Sequence, residues 1–273
     1  MYAFKYERPT SVRQAVSLLT GNEDAKLLAG GHSLIPVMKQ RLASPKLIVD
    51  LSKIEGLSGI EVTPRTVTIK AMTKHRDVAN SKELLEVMPA LANVPGSIGD
   101  PHVRQTGTIG GSVANNDPNA DYPAAVLGLG ATIVTNKRKI AADDYFKGMF
   151  ETALEPDEII TEITFPIVKK AGYMKFKHPA SGFALVGVFV SKRSSEIRVA
   201  ATGAGSNGVF RVTAFEEALK KRFAPKSLEG ITLPADGMNS DIHGSAEYRA
   251  HLVGVMARRA VARANEGPEA GDE

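Results

Sequence analysis

Lys26-Leu27-Leu28-Ala29-Gly30-Gly31-His32-Ser33-Leu34-Ile35-Pro36 reads as a short buried strand that breaks at a glycine pair and restarts as a helix. Paired glycines allow positive φ and a close approach of backbone to a ligand. Successive N–H groups at such a turn converge, and the helix that follows adds the positive end of its dipole. A phosphate oxygen is the natural partner of that arrangement, and the Ser33 hydroxyl adds a donor. The same residues also make an ordinary strand-to-helix turn, so the loop alone leaves both readings open. Working outward, a helix is expected over Val12–Leu19 behind Ser11, a helix over Leu34–Arg41, and a second strand over Lys46–Leu51. Two strands joined through a short helix form a small βαβ unit.

Further along, Gly59–Val62 and Thr66–Lys70 flank Thr63-Pro64-Arg65 as a hairpin, and helical spacing runs from Arg76 to Ala92. Residues 95–118 are rich in Gly, Pro, Asn, Asp and Thr and read as a long polar connection of functional type. It contains a second glycine–hydroxyl loop, Thr106-Gly107-Thr108-Ile109-Gly110-Gly111-Ser112, followed by Asn115, Asn116, Asp117, Asn119 and Asp121. These polar residues suit ribose or ribityl hydroxyls, and equally suit turns. Two such loops fit a diphosphate clasped from both sides. A helix over Tyr122–Leu129 and strands over Ala131–Thr135 and Glu158–Phe165 complete this part. Strands over Tyr173–Lys177, Ala184–Val190 and Glu196–Ala201, then helices over Thr213–Lys221 and Ser245–Ala264, follow a boundary near Pro166–Gly172. Gly203-Ala204-Gly205-Ser206-Asn207-Gly208 matches a dinucleotide fingerprint literally, but β-like Val209–Val212 follows where a helix is required. It reads as a glycine-rich loop.

The 273-residue chain has 43% hydrophobic residues, enough to bury more than one core. Its net charge of +4 comes from interleaved cations and anions, which argues against nucleic acid as a partner. Absence of cysteine excludes disulfides, thiolate catalysis and cysteine-ligated clusters within the chain. Residues 1–8 lack the apolar core of a signal peptide, and no run is long enough to span a membrane; a cytoplasmic protein is the expectation. The six histidines show no metal-ligand spacing, and Ser33 lacks the second glycine of a nucleophile elbow, so neither a metal nor a catalytic set is expected.

At these loops the chain resembles the FAD-binding medium subunits of the molybdenum hydroxylases, the family of xanthine dehydrogenase and aerobic carbon monoxide dehydrogenase. The resemblance rests on Ala29–Pro36 with Lys39 and Arg41, on Asp100-Pro101-His102-Val103-Arg104 leading into Gly107–Ser112, on Asp117-Pro118 and Asp121–Ala124, and on Ala246–Arg249 with Arg258–Ala260. It covers residues 1–264 and implies an α+β fold. A two-part FAD-binding domain of the p-cresol methylhydroxylase type would fill residues 1–172, in subdomains of about 1–56 and 57–172. A C-terminal domain with a three-stranded antiparallel sheet and helices would fill 173–264, and 265–273 would be a disordered tail.

The resemblance also implies roles. Ala29, Gly30, Gly31, His32, Ser33, Leu34, Ile35 and Pro36, with Thr108, Ile109, Gly110, Gly111 and Ser112, would bind the FAD diphosphate. Asp121 would meet ribityl or ribose hydroxyls. Ile98 and Ile160 would line the flavin, Lys175 would lie near its ring, and Phe183 would stack on it. FAD would be held non-covalently, because Leu28-Ala29 precede the glycines where covalently flavinylated relatives carry an arginine. The molybdenum cofactor and [2Fe–2S] clusters would sit in a large and a small partner subunit, as a dimer of heterotrimers. Electrons would pass from the clusters through FAD to an external acceptor. A stand-alone FAD-dependent oxidoreductase on the same fold is the alternative.

Overall fold

In a computed structural model, which describes residues 1–266, the glycine loop closes a parallel three-stranded sheet. Its elements are β1 (Lys5–Glu7), α1 (Val12–Thr20), β2 (Ala25–Leu28), α2 (Leu34–Lys39) and β3 (Leu47–Asp50), with strand order β1-β3-β2. The Ser11 hydroxyl caps α1 by accepting the Gln14 N–H at 3.2 Å. β1 is exposed along its length and carries no apolar signal. It is fastened instead by Tyr6, whose hydroxyl donates to the Asp50 carboxylate, and by Arg8, whose Nε lies 3.3 Å from the same group.

The second body opens with the hairpin β4 (Ile60–Val62) and β5 (Thr66–Lys70). Six short helices follow: α3 (His75–Ala79), α4 (Lys82–Val87), α5 (Pro89–Gly96), α6 (Pro101–Thr106), α7 (Ile109–Asn115) and α8 (Tyr122–Gly128). Then come β6 (Thr132–Thr135), β7 (Lys139–Ala141), α9 (Ala142–Tyr145), β8 (Phe146–Gly148), β9 (Glu151–Thr152) and β10 (Ile160–Pro166). The sheet order is β4-β5-β10-β6-β7, antiparallel throughout. Its core gathers Val67, Ile69, Ile133, Ile163 and Phe165 with Leu84, Leu91, Ile109 and Tyr122 from the helices.

The expected polar connection over 95–118 is therefore mostly helical. Asp100 caps α6 by accepting the Val103 N–H at 3.0 Å, with Pro101 at the first helical position. Thr108 caps α7 by accepting the Gly111 N–H at 3.1 Å, and Asn116 ends it in the left-handed conformation at φ 44°.

The chain then forms β11 (Lys170–Lys177), β12 (Ala184–Arg193), β13 (Glu196–Thr202) and β14 (Phe210–Arg211), an antiparallel sheet in that order. The three expected strands are present, and β14 adds a two-residue fourth. α10 (Thr213–Lys221) and α11 (Ala246–Glu266) cover one face, where Val186, Val188, Val199, Phe215, Val253 and Met256 are buried together. Asn265 and Glu266 continue α11; the rest of the expected tail lies outside the described residues. α8 is buried along its whole length and packs on β12 and β13, where a Cβ on Gly128 would meet the Phe189 ring at 2.9 Å. That contact ties the second sheet to the third and carries Asp121, at the start of α8, to β11. No helix among the described residues is long and apolar enough to cross a membrane.

Candidate functional site

The first loop leaves β2 at Leu28 and turns at Gly31, whose φ of 76° is a conformation that favours glycine. The Gly31 carbonyl accepts the Ile35 N–H at 3.1 Å, which starts α2. Among the described residues no hydrogen bond engages the N–H groups of Gly31, His32, Ser33 or Leu34, so four consecutive donors are free at a helix start. His32 and Ser33 are exposed.

The second loop packs directly on the first. A Cβ at Gly30 would lie 2.4 Å from the Thr106 carbonyl oxygen and 2.7 Å from Gly107 Cα. His32 Nε2 and the Thr106 hydroxyl share a hydrogen bond of 2.5 Å. A Cβ at Gly111 would come 3.4 Å from the Ala29 methyl. The division of labour differs from two equivalent amide cradles. Ile109 N–H donates to Thr73 O at 3.1 Å, Gly110 N–H to Ala71 O at 2.8 Å, and Gly111 N–H to Thr108 Oγ1. The second loop thus brings close-packed backbone and the Thr106 and Ser112 hydroxyls, while the first supplies the free amides.

His75, a residue without any sequence motif around it, supports this junction. Its N–H donates to Gly107 O at 2.9 Å, and its ring fills the space a Gly107 side chain would need, with Nε2 2.6 Å from the would-be Cβ. His75 is 5% exposed, and burial, aided by the neighbouring His32, pushes its pKa from 6.5 down to about 4. Among the described residues its Nδ1 has no partner, and neither has the buried hydroxyl of Tyr122, whose ring centroid lies 5.4 Å away. The unfolded chain takes the proton near pH 6.5 while the folded chain resists it until about 4. Stability is therefore full above 6.5 and falls as the pH drops through that window, by at most about 3 kcal/mol. Thermal unfolding followed across the window should show this acid loss in the parent and a flatter profile in His75→Gln.

α6, about 9 Å long at 1.5 Å per residue, separates this junction from a second cluster. There Arg104 Nη1 donates to the Ile98 carbonyl at 3.0 Å, and a Cβ at Gly182 would come 3.9 Å from Gly99. Phe183, next to Gly182, is 48% exposed, so its ring is not a core side chain. Asp121 and Lys175 meet: Lys175 Nζ lies 2.9 Å from Asp121 Oδ1, and the Tyr173 hydroxyl donates to that oxygen at 2.5 Å. Burial pushes the Asp121 carboxyl up and the Lys175 amine down, each opposed by the other's charge. Asp121, 3% exposed, is thus occupied in fixing Lys175. Ile160 is buried on β10, behind the second loop: Gly110 N–H reaches Ala71 O, and Ala71 N–H reaches Thr161 O at 2.9 Å. Asn116 and Asp117 serve the backbone, Asn116 by donating to Gly148 O and Glu151 O and Asp117 by accepting the Asn119 N–H.

The loop at Gly203–Gly208 has no such free row. Gly203 N–H donates to Pro118 O, Ser206 N–H to Gly237 O and Gly208 N–H to Gly205 O. The buried Arg249 donates to Gly203 O at 2.9 Å, and Asn239 to Gly205 O at 3.1 Å. It is a braced turn.

Residues 2–168 match the family model described as the FAD-binding domain in molybdopterin dehydrogenase. The carbon monoxide dehydrogenase medium chain of Afipia carboxidovorans is 39% identical, over 96% of each chain. The nicotine 6-hydroxylase medium subunit of Paenarthrobacter nicotinovorans is 35% identical, over 96% of this chain and 97% of that one. A chain of reconstituted CO dehydrogenase from Oligotropha carboxidovorans superposes with a TM-score of 0.86 at 36% identity, covering 97% of this chain and 98% of the other.

Proposed function

The chain belongs to the family of FAD-binding domains of molybdopterin dehydrogenases, and we propose on that premise that it is the FAD-holding medium subunit of a heteromeric molybdenum-containing hydroxylase. The observation that carries this reading is the junction of the two loops. Four consecutive amides, unpaired among the described residues, lie beside a glycine with no room for a side chain, and that chemistry fits a diphosphate. Ala29–Pro36 hold the diphosphate from one side. Thr108–Ser112 close the other, and His75, uncharged, keeps Gly107 against Gly30 without competing for the anion. Ile98, Phe183 and Lys175 form the flavin end. Asp121 fixes the Lys175 ammonium there, where it favours an anionic reduced ring, and Ile160 backs the second loop.

FAD, when bound, accepts electrons singly and delivers them in pairs. The residues of this chain bind, orient and shield it; none acts as acid, base or nucleophile. In this reading the molybdenum cofactor and [2Fe–2S] clusters reside in large and small partner chains. Electrons pass from the clusters through this chain to an external acceptor. The complex is cytoplasmic and a dimer of heterotrimers. Residues 1–172 form the FAD-binding unit, in parts 1–56 and 57–172, and 173–264 the C-terminal unit. FAD is non-covalent, as Leu28-Ala29 before the glycines imply.

The native complex, denatured in acid, should release all its flavin as FAD into the supernatant, with iron–sulfur absorbance following the smaller partner chain. Flavin retained in the pellet would overturn the non-covalent assignment. Absence of flavin from a folded native complex would overturn the whole reading.

A further inference from the structure

Away from the glycine loops, a cavity of about 510 Å³ opens between the α4–α5 turn, β11 and the last turn of α11. That size suits a small organic ligand. Its charge is one-sided. Lys169, Lys170, Lys175, Lys177 and Arg263 line it, against the single carboxylate of Glu86. Lys175 is neutralised by Asp121 at 2.9 Å, and Glu266 stands 3.9 Å from Arg263. Among the described residues four cations then face two carboxylates. Lys169 and Lys177 make no hydrogen bond or ion pair among the described residues, whereas Lys170 donates to Asn265 at 2.5 Å. Between the charged ends the wall is apolar, from Met88 and Pro89 on one side to Ala171 and Met174 on the other. β11 is the edge strand of its sheet, so the N–H and C=O groups it does not share with β12 are available to a ligand.

We propose that this cavity binds a phosphate monoester with a flat, largely apolar body, of mononucleotide size. The excess of two positive charges among the described residues matches the roughly −2 charge of such a phosphate at neutral pH. The phosphate sits at the outer end, by Lys169 and Arg263, because the inner lysine already has its carboxylate. The body lies along Met88, Pro89 and Met174, with polar edges on the free side of β11. The inner wall includes Lys175, which also belongs to the flavin end, but Lys169 and Arg263, which set the phosphate end, belong neither to that end nor to the two loops at Gly30 and Gly107.

Equilibrium dialysis of the native complex, with its FAD retained, tests this with AMP, adenosine and inorganic phosphate as separate probes. AMP should be held about tenfold or more tighter than either adenosine or phosphate, the size of one charge-assisted contact. Lys169→Gln/Arg263→Gln should weaken AMP about tenfold, a loss that added salt reproduces, with FAD content unchanged. Asn93→Trp, at an exposed lining position, should abolish AMP binding by filling the space. The proposal is overturned if AMP binds no better than adenosine or no better than phosphate. It is overturned equally if both variants bind AMP like the parent, or if AMP displaces FAD. A complex found without flavin would sink the FAD assignment yet leave this binding measurement intact.

Discussion

Replacing Lys175 by methionine should destabilise the chain by about 3–5 kcal/mol, because it leaves the Asp121 carboxylate buried without its cation. Asp121 is 3% exposed, and the Tyr173 hydroxyl alone cannot offset a desolvated charge. The carboxyl, already pushed up by burial, would then titrate higher still, and unfolding would become easier toward neutral pH. At roughly 2–4 °C per kcal/mol for a chain of this size, the melting temperature should fall by about 10 °C. The pair can be separated from mere packing by a double-mutant cycle. Asp121→Asn with Lys175→Met removes both charges together and should recover most of the loss, since a missing pair costs far less than a broken one. A coupling energy below about 1 kcal/mol in thermal unfolding would show that Asp121 and Lys175 act separately.

That pair also shows where the sequence was legible and where it was not. The glycine turn after a strand could be read directly, since Gly30 and Gly31 are residue choices with few other uses. The long strands and amphipathic helices were equally visible. The helices within residues 95–118 are hidden in the composition because helix-capping and loop residues are the same residues. Asp100, Pro101, Thr108 and Asn116 are turn formers by composition and become caps only when short helices are held by packing. β1 was invisible because its stability comes from Tyr6 and Arg8 reaching Asp50, far along the chain. His75 carries no motif; its role arises from burial under Gly107, which only the fold creates. The partnership of Asp121 with Lys175 is likewise a product of α8 packing on β12 and β13, which brings Asp121, at its start, beside β11. Each residue could be singled out alone from the sequence, but their contact could not.

Gly30→Ala should weaken FAD retention on the order of 100-fold, or ~2.7 kcal/mol. The added methyl would lie 2.4 Å from the Thr106 carbonyl oxygen and 2.7 Å from Gly107 Cα. Both are backbone atoms, so no side chain can rotate away. Ordinary contact requires the loops to part by about 1 Å, and shifts of that size are what preorganised sites tolerate least. The parting would also stretch the His32–Thr106 hydrogen bond and tilt the free amides away from the second loop. Gly254→Ala provides the contrast. It lies inside α11, where the nearest atom to a new Cβ is the Arg258 guanidinium at 3.6 Å. There the same substitution should stabilise by about 0.5–1 kcal/mol through helix propensity and leave FAD untouched. Dialysis of the native complex against increasing volumes, with FAD read by fluorescence, measures both. If Gly30→Ala keeps its flavin as Gly254→Ala does, the two loops do not act as one clasp, and the diphosphate is held by the first loop alone.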